Sequence, residues 1–290
     1  MLKKFSEVNP ETKNILNTKV IANYSKLRLS LFFLPLFILT AIIVFLYSQN
    51  ALSVDGYLLI QKDAFFFINS QLSQFPATIY NLTQIGDALI FMSFLTLFIV
   101  YAPKMWESLL SASLISAIFS RGLKDLFHVP RPAEVYDNNT FVIIGKTLPG
   151  FSSLPSGHSI TVFTILTVLL FAFMPKKANY KILWVFLLIS IGFILVFTRV
   201  GVGAHHPLDV INGSVIGYIC GLAGIFISRK YKIWDWINTK KYYPFFIVLF
   251  LVCCGVLITK ISKENLIIFY LALISLILSL YKITYAYIKK

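Results

Sequence analysis

Residues 182–198 read ILWVFLLISIGFILVFT, a run of seventeen residues that contains no charge. A helix of about 17–25 apolar residues is long enough to cross the hydrocarbon core of a bilayer. After a short polar segment, a second run at 208–227 reads LDVINGSVIGYICGLAGIFI. The two runs predict a pair of membrane-spanning helices joined by a polar loop.

Similar runs recur along the chain and predict an all-α fold, a polytopic membrane helix bundle. We count eight expected spans, at 29–47, 85–101, 106–123, 159–174, 182–198, 208–227, 243–259 and 266–287. The polar segment 1–28 precedes them, and the first run is too long and too far along the chain for a cleavable signal peptide. The segment 57–75 is apolar but is interrupted by polar residues. We expect it either to lie in the membrane interface or to pack as an ordinary amphipathic helix.

The amino-acid composition excludes most soluble proteins. Hydrophobic residues make up 58% of the 290 residues and charged residues 13%, whereas a soluble domain carries roughly 25% charged residues. The net charge of +14 does not indicate a nucleic-acid binder, because most of the chain is expected to be buried in lipid. The three cysteines all lie in apolar runs, and we expect small buried side chains rather than a disulfide.

The basic residues predict the orientation of the bundle. They cluster in the N-terminal tail, at 176–181, at 229–241 and at the C-terminus, which are alternate loops of an eight-span chain. Cytoplasmic loops carry an excess of Lys and Arg, so we expect these segments and both termini in the cytoplasm. The other loops, at 48–84, 124–158, 199–207 and 260–265, are then outside. Richness in Lys, Asn, Ile and Phe points to a bacterium, and hence to a cytoplasmic (inner) membrane.

The first polar cluster reads KDLFHVPRP and runs from Lys124 to Pro132. The prolines on both sides of Arg131 restrict the backbone, so Lys124 and Arg131 can point at one anion such as phosphate. On its own, the cluster is better explained by cations that reach lipid headgroups. His128, in the spacer, is expected to be a surface loop residue.

The second polar cluster, LPSGH, ends at His158. Ser156 can cap the following helix, Gly157 allows close approach of the backbone, and a helix N-terminus favours an anion. A plain helix start is the simpler alternative.

The third cluster, TRVGVGAHHPLD, runs from Thr198 to Asp209 and contains Arg199. His205 and Asp209 are four residues apart, so the carboxylate can accept the imidazole N–H and fix its tautomer. His206 has Val210 at the corresponding position, so no such partner is expected for it. A structural His–carboxylate cap is the alternative to catalysis.

Together the three clusters resemble the three-part signature of the type 2 phosphatidic acid phosphatase family, which belongs with bacterial acid phosphatases and vanadium haloperoxidases. The matching pattern is Lys124-x6-Arg131-Pro132, then Pro155-Ser156-Gly157-His158, then Arg199-x5-His205-x3-Asp209. One departure is Thr198, where the family usually has Ser; the hydroxyl is retained. The resemblance covers 85–227, the phosphatase core that carries the motifs, and implies six spans when the first span in the preceding segment 29–84 is included. Segment 228–290 would then hold a cytoplasmic loop and two extra spans.

The resemblance also implies residue roles. His205 would attack phosphorus, Asp209 would hold its other ring nitrogen, and His158 would act as general acid. The phosphate oxygens would be bound by Lys124, Arg131, Arg199, Ser156 and the amide of Gly157. No metal or other cofactor is implied, because the cations replace it.

The expected substrate is a membrane lipid phosphate or diphosphate of the undecaprenyl diphosphate, phosphatidylglycerol phosphate or phosphatidic acid class, with lipid A phosphates close behind. A lipid phosphotransferase would carry the same motifs, with the phosphoryl group passing to another lipid instead of water. A transporter or scaffold without activity is less favoured, because His158, His205 and Asp209 are all present. A vanadium-dependent peroxidase is disfavoured by the number of spans.

Overall fold

The computed structural model of the chain describes residues 10–288. This part contains helices and loops and no β-strand. The helices are α1 Pro10–Tyr24, α2 Phe33–Ser48, α3 Val54–Leu72, α4 Pro76–Thr83, α5 Ala88–Leu95, α6 Phe98–Tyr101, α7 Pro103–Phe127, α8 Pro132–Val135, α9 Gly157–Ala172, α10 Ala178–Gly201, α11 Pro207–Lys230, α12 Tyr243–Glu264 and α13 Ile267–Ile288. The prediction of an all-helical bundle is confirmed.

Five helical segments of the described chain are long and apolar enough to cross a membrane. They are Leu29–Ser48, Ala178–Gly201, Pro207–Lys230, Lys240–Glu264 and Ile267–Ile288, and Gly157–Ala172 is a shorter apolar helix. The structure therefore has the apolar helices of a polytopic membrane protein, with fewer long spans than the eight expected from the sequence. The expected span at 106–123 lies within α7, whose 25 residues include charges near both ends.

The expected second span, at 85–101, is not one continuous helix. It is divided into a short 3-10 turn, α5 and α6. At the break between α5 and α6, the Thr96 hydroxyl lies 2.7 Å from that of Ser279 on α13, and Ser275 of α13 donates to the carbonyl of Ser93. Ser275 of α13 thus supplies a donor to a backbone carbonyl at the break, which gives this C-terminal helix a structural role.

Helix α11 is the centre of the bundle and packs most extensively against α9 and α7. Gly213, Gly217 and Gly221 recur every four residues on the face toward α9, and a Cβ at each would come within 2.9 Å of a backbone carbonyl oxygen of the Ser156–Thr164 segment. Gly224 meets Ala112 of α7 in the same way. Small residues let helix backbones approach closely in membranes, and here they bring the start of α9 next to the start of α11.

Helix α3 packs into the bundle, which is the second of the two alternatives for segment 57–75. Tyr57, Gln61, Phe65 and Asn69 lie on its buried face. Asn69 donates to the carbonyls of Val200, Gly201 and Val142. Gln61 accepts from the amide of Leu208. Buried polar side chains need such partners, so α3 is tied to the end of α10 and the start of α11.

The outer surface of the long helices is apolar. Phe33, Phe37, Phe186, Ile194 and Ile277 are among the many large hydrophobic side chains exposed there, as expected for helices that face lipid. Cys220 and Cys254 are buried, Cys253 is half-buried, and all three are free thiols.

Candidate active site

The second and third sequence clusters meet where α9 and α11 begin. Ser156 is the N-cap of α9, and its hydroxyl accepts from the amide of Ser159. Its own amide donates to the carbonyl of Asp209 at 3.0 Å. Asp209 lies in the first turn of α11 and caps that helix by accepting from the amide of His206 at 2.9 Å. A backbone hydrogen bond therefore joins the two helix starts.

The chain reverses direction after α7, and this turn brings the first cluster next to the starts of α9 and α11. His128 ends the helix in a left-handed conformation, with φ of 47°, and its exposed ring stacks on Phe151. Arg131 then donates its amide to Gly150. Its guanidinium lies 3.4 Å from the carbonyl oxygen of Ala204, in the third cluster. His128 is thus a surface residue, as expected, and Arg131 reaches the loop that carries His205.

Lys124 lies in the last turn of α7 and points toward the start of α9. A Cβ on Gly157 would be 3.4 Å from the Lys124 ammonium, so Gly157 leaves room for that charge. The charges of Arg131, Arg199 and Asp209 all act on Lys124. The cations from the first and third clusters therefore share one electrostatic environment.

Arg199 is buried at the end of α10, with 7% of its surface exposed. One guanidinium nitrogen donates to the hydroxyl of Thr83 at 3.1 Å, whereas Nε has no hydrogen-bond partner among the described residues. A buried N–H without a partner costs free energy. A phosphate oxygen in the site would supply the missing acceptor.

His158 follows Gly157 in the first turn of α9, and its ring is packed against Gly86. A Cβ at Gly86 would come within 2.5 Å of the imidazole, so the ring occupies space that only a glycine leaves. His205, Lys124, Arg131 and Arg199 all act electrostatically on His158. A cavity of about 510 Å³ opens beside His158 and Lys124, between α5, α7 and α9.

His205 is buried in the loop between α10 and α11. Its Nδ1 lies 3.7 Å from Oδ2 of Asp209, close enough for electrostatic attraction but too long for a good hydrogen bond. Burial lowers the pKa of His205 to about 3, and the charges of Arg131 and Arg199 act in the same direction. The imidazole is therefore neutral at ordinary pH, which a nucleophile requires.

The expectation that His206 has no carboxylate partner is wrong. Its Nδ1 lies 3.3 Å from Oδ2 of Asp209, so it does have a carboxylate partner, three residues away rather than four. The cause is the cap geometry: because Asp209 turns back to accept from the amide of His206, its carboxylate also lies beside that ring. The Nε2 of His206 is buried and has no partner among the described residues.

Three residues that contact the site were not predicted from the sequence. Tyr57 of α3 donates to Oδ1 of Asp209 at 2.8 Å, and Ser153 donates to Oδ2 at 2.6 Å. Thr83 of α4 is the partner of Arg199. Ser153 lies only three residues before the second cluster, and a buried hydroxyl there could have been considered. Tyr57 and Thr83 carry no local signal, because distant segments bring them to the site.

The described residues offer no cluster of metal-binding side chains. Within residues 10–288, no three His, Cys, Asp or Glu side chains form a group that could hold a metal ion. The acidic side chain at the centre of the site is that of Asp209, and its oxygens face hydrogen-bond donors.

Comparison with known proteins finds a similarity in the segment that carries the site. Residues 105–234 match the family model described as the PAP2 superfamily. This segment, a little under half of the chain, is similar to the type 2 phosphatidic acid phosphatase family. All three motifs that carry the resemblance lie within the matched residues.

Two known proteins are similar to parts of this chain. A lipid A 1-phosphatase of Rhizobium etli is 31% identical over 119 residues, which are 41% of this chain and 48% of the relative. The chain thus matches about half the length of that curated relative. The crystal structure of Aquifex aeolicus LpxE is 27% identical, with a TM-score of 0.47, and the match covers 59% of this chain and 96% of that one.

Proposed function

We propose that the protein is a membrane lipid phosphatase that removes phosphate from a lipid phosphate or diphosphate through a phosphohistidine intermediate. The observation that carries this proposal is the convergence of three cations and two histidines around the start of α9. Lys124, Arg131 and Arg199 come from different segments and act electrostatically on His158, and so does His205. That set of groups matches the charge of a phosphoryl group in transfer.

His205 is the proposed nucleophile. Its Nδ1 faces the carboxylate of Asp209, so Nε2 is the nitrogen left to attack phosphorus. In the first step the N–P bond forms and the P–O bond to the lipid breaks, while His158 gives a proton to the departing oxygen. In the second step water attacks phosphorus, His158 takes a proton from the water, and the N–P bond breaks to release inorganic phosphate.

The cations are proposed to bind the non-bridging phosphate oxygens. Arg131 and Arg199 offer guanidinium forks and Lys124 a point charge. Ser156 and the amide of Gly157 add neutral donors at the start of α9, where the helix dipole favours an anion. Preorganised charges of this kind stabilise the transition state more than the bound substrate.

The substrate is proposed to reach the site from the bilayer. The proposed site residues lie at or next to the ends of α7, α9, α10 and α11. The exposed apolar surfaces of α2, α10, α12 and α13 support a bilayer around these helices, and lipid headgroups would then lie near the helix ends. The distribution of basic loops supports an outer-facing site in a bacterial cytoplasmic membrane, with both termini in the cytoplasm.

A lipid A phosphate is the second candidate substrate. Its support is the lipid A 1-phosphatase of Rhizobium etli, which is 31% identical over 119 residues. The prenyl and glycerolipid phosphates remain the alternatives, because the motifs bind the phosphate and leave the rest of the lipid unspecified.

The test is phosphate release by the purified protein in detergent, with EDTA present. The panel contains undecaprenyl diphosphate, phosphatidic acid, phosphatidylglycerol phosphate and a lipid A phosphate, and each is repeated with His205→Ala. Release that survives EDTA and disappears in the variant is expected. No release from any of the four, or equal release by the variant, would contradict the proposal.

A further inference from the structure

The carboxylate of Asp209 is held by groups other than the proposed nucleophile. Oδ1 accepts from the phenol of Tyr57 at 2.8 Å. Oδ2 accepts from the Ser153 hydroxyl at 2.6 Å and from the amide of His206 at 2.9 Å. His205 Nδ1 lies farther away, at 3.7 Å. Asp209 therefore does not orient His205 through a direct hydrogen bond in this structure.

The Ser153 hydroxyl lies between the two groups. Its oxygen is 3.5 Å from Nδ1 of His205 and donates its hydrogen to Asp209. A hydroxyl has a single hydrogen to donate and two lone pairs that accept. Because the hydrogen is directed at the carboxylate, a lone pair is left for the N–H of His205.

This chain of contacts selects a tautomer of the imidazole. A proton on Nδ1 can be donated to Ser153, whereas a proton on Nε2 would leave Nδ1 facing an oxygen lone pair. The Nδ1–H tautomer leaves the lone pair on Nε2, the nitrogen that attacks phosphorus. When Nε2 is bonded to phosphorus the ring becomes cationic, and charge-assisted hydrogen bonds are shorter and stronger.

The position of Ser153 is fixed by its backbone and does not depend on its side chain. The residue is fully buried, and its amide donates to the carbonyl of Val129 at 2.9 Å. The same loop continues into Ser156, whose amide is bonded to Asp209. Removal of the hydroxyl is therefore expected to break the link to His205 and to leave the loop in place.

We propose that Ser153 is a positioning residue that couples His205 to Asp209 through its hydroxyl. Ser153 belongs to none of the three motifs. The inference rests on the proposed function, because it assigns His205 as the nucleophile. It adds that the carboxylate acts on His205 through an intervening serine.

The first test compares the kinetics of Ser153→Ala with a matched control. Loss of a hydrogen bond in a charged network is expected to lower kcat about 10- to 100-fold with KM within about twofold of wild type. Ser159→Ala removes another fully buried hydroxyl, one without a partner among the described residues, and is expected to keep wild-type kcat. Ser153→Thr keeps a hydroxyl and is expected to recover part of the lost rate. A kcat for Ser153→Ala equal to that of the control would overturn the inference.

The second test separates positioning from general damage. Groups that act through one another are not additive, so Ser153→Ala combined with Asp209→Asn is expected to be no slower than Asp209→Asn alone. If the fold losses in kcat of the two single variants multiply in the double variant, the coupling is contradicted.

The third test does not depend on activity. Long-range ¹H–¹⁵N spectra of histidine-labelled protein report the tautomer, with His205 identified by its absence in His205→Ala. Wild type is expected to show a protonated Nδ1, and Ser153→Ala a mixture of tautomers. An unchanged spectrum would overturn the inference even if the proposed function were correct. If wild type releases no phosphate, the proposed function fails, whereas the spectra still decide the role of Ser153.

Discussion

The phenol of Tyr57 donates a 2.8 Å hydrogen bond to Oδ1 of Asp209. Tyr57 lies on α3, well before the residues that match the family model. Burial, together with the charge of Asp209, raises the pKa of Tyr57 well above its usual range. The phenol therefore stays protonated and can donate this hydrogen bond at ordinary pH. Helix α3, which lies outside the matched residues 105–234, thus helps to hold the carboxylate of Asp209.

Replacement of Tyr57 by Phe is expected to slow the reaction without unfolding the protein. The change leaves one buried carboxylate oxygen without its donor, and hydrogen bonds to charged groups contribute about 1.5–3 kcal/mol. A fall in kcat of about tenfold or more follows, since about 1.4 kcal/mol corresponds to a factor of ten. Tyr47→Phe, at a phenol that is 71% exposed, is the matched control. Equal kcat values in the two variants would show that α3 does not influence the site.

A methyl group at Gly86 is expected to displace His158. The added Cβ would lie 2.5 Å from the imidazole, so the ring must leave its position or the backbone must shift. Gly86→Ala should therefore lose most of its phosphatase rate while its helical circular dichroism stays at the wild-type level. Gly122→Ala adds the same methyl group to α7 where nothing lies within 4 Å, and it should remain active. An active Gly86→Ala variant would mean that His158 does not need its observed position.

The glycine face of α11 is expected to limit stability. A Cβ at Gly217 would lie 2.5 Å from the carbonyl oxygen of Ile160, and backbone cannot move aside as a side chain can. Overpacking of this kind typically costs about 1–3 kcal/mol, so Gly217→Ala should melt at a lower temperature in detergent. Gly255→Ala has no atom within 4 Å of its Cβ, and higher helix propensity should leave its melting temperature equal or higher. Similar melting temperatures for both variants would argue against close packing of α9 and α11.

The depressed pKa of His205 predicts how stability depends on pH. In the unfolded chain a histidine takes up a proton near pH 6.5, whereas burial lowers the pKa of folded His205 to about 3. Between these values the unfolded state binds more protons, so the contribution of His205 to stability falls as the pH is lowered from about 6.5 toward 3. His205→Asn removes this titration. Its melting temperature should therefore decline less than that of wild type between pH 7 and pH 5, and parallel curves would contradict the low pKa.

Much of the site was predictable from the sequence because its motifs are local. Ser156 caps α9 as its position before the helix predicts. The four-residue spacing does bring Asp209 near His205, but at 3.7 Å the expected direct hydrogen bond is not made. The position of His128 at the surface followed from its place in a loop. The contact between His206 and Asp209 was missed because a spacing rule for helix interiors does not apply at a helix cap.

The sequence by itself determined the membrane class, the all-helical fold and the three clusters. The reason is that hydrophobic runs and helix ends are properties of consecutive residues, and the cost of a charge in lipid keeps polar groups at those ends. Only the tertiary structure brought Tyr57, Ser153 and Thr83 to the site. It also placed α13 where its serines form hydrogen bonds at the break after α5. Those contacts depend on the close packing of α9 and α11 and on buried polar groups finding partners far away in the chain, which no local pattern encodes.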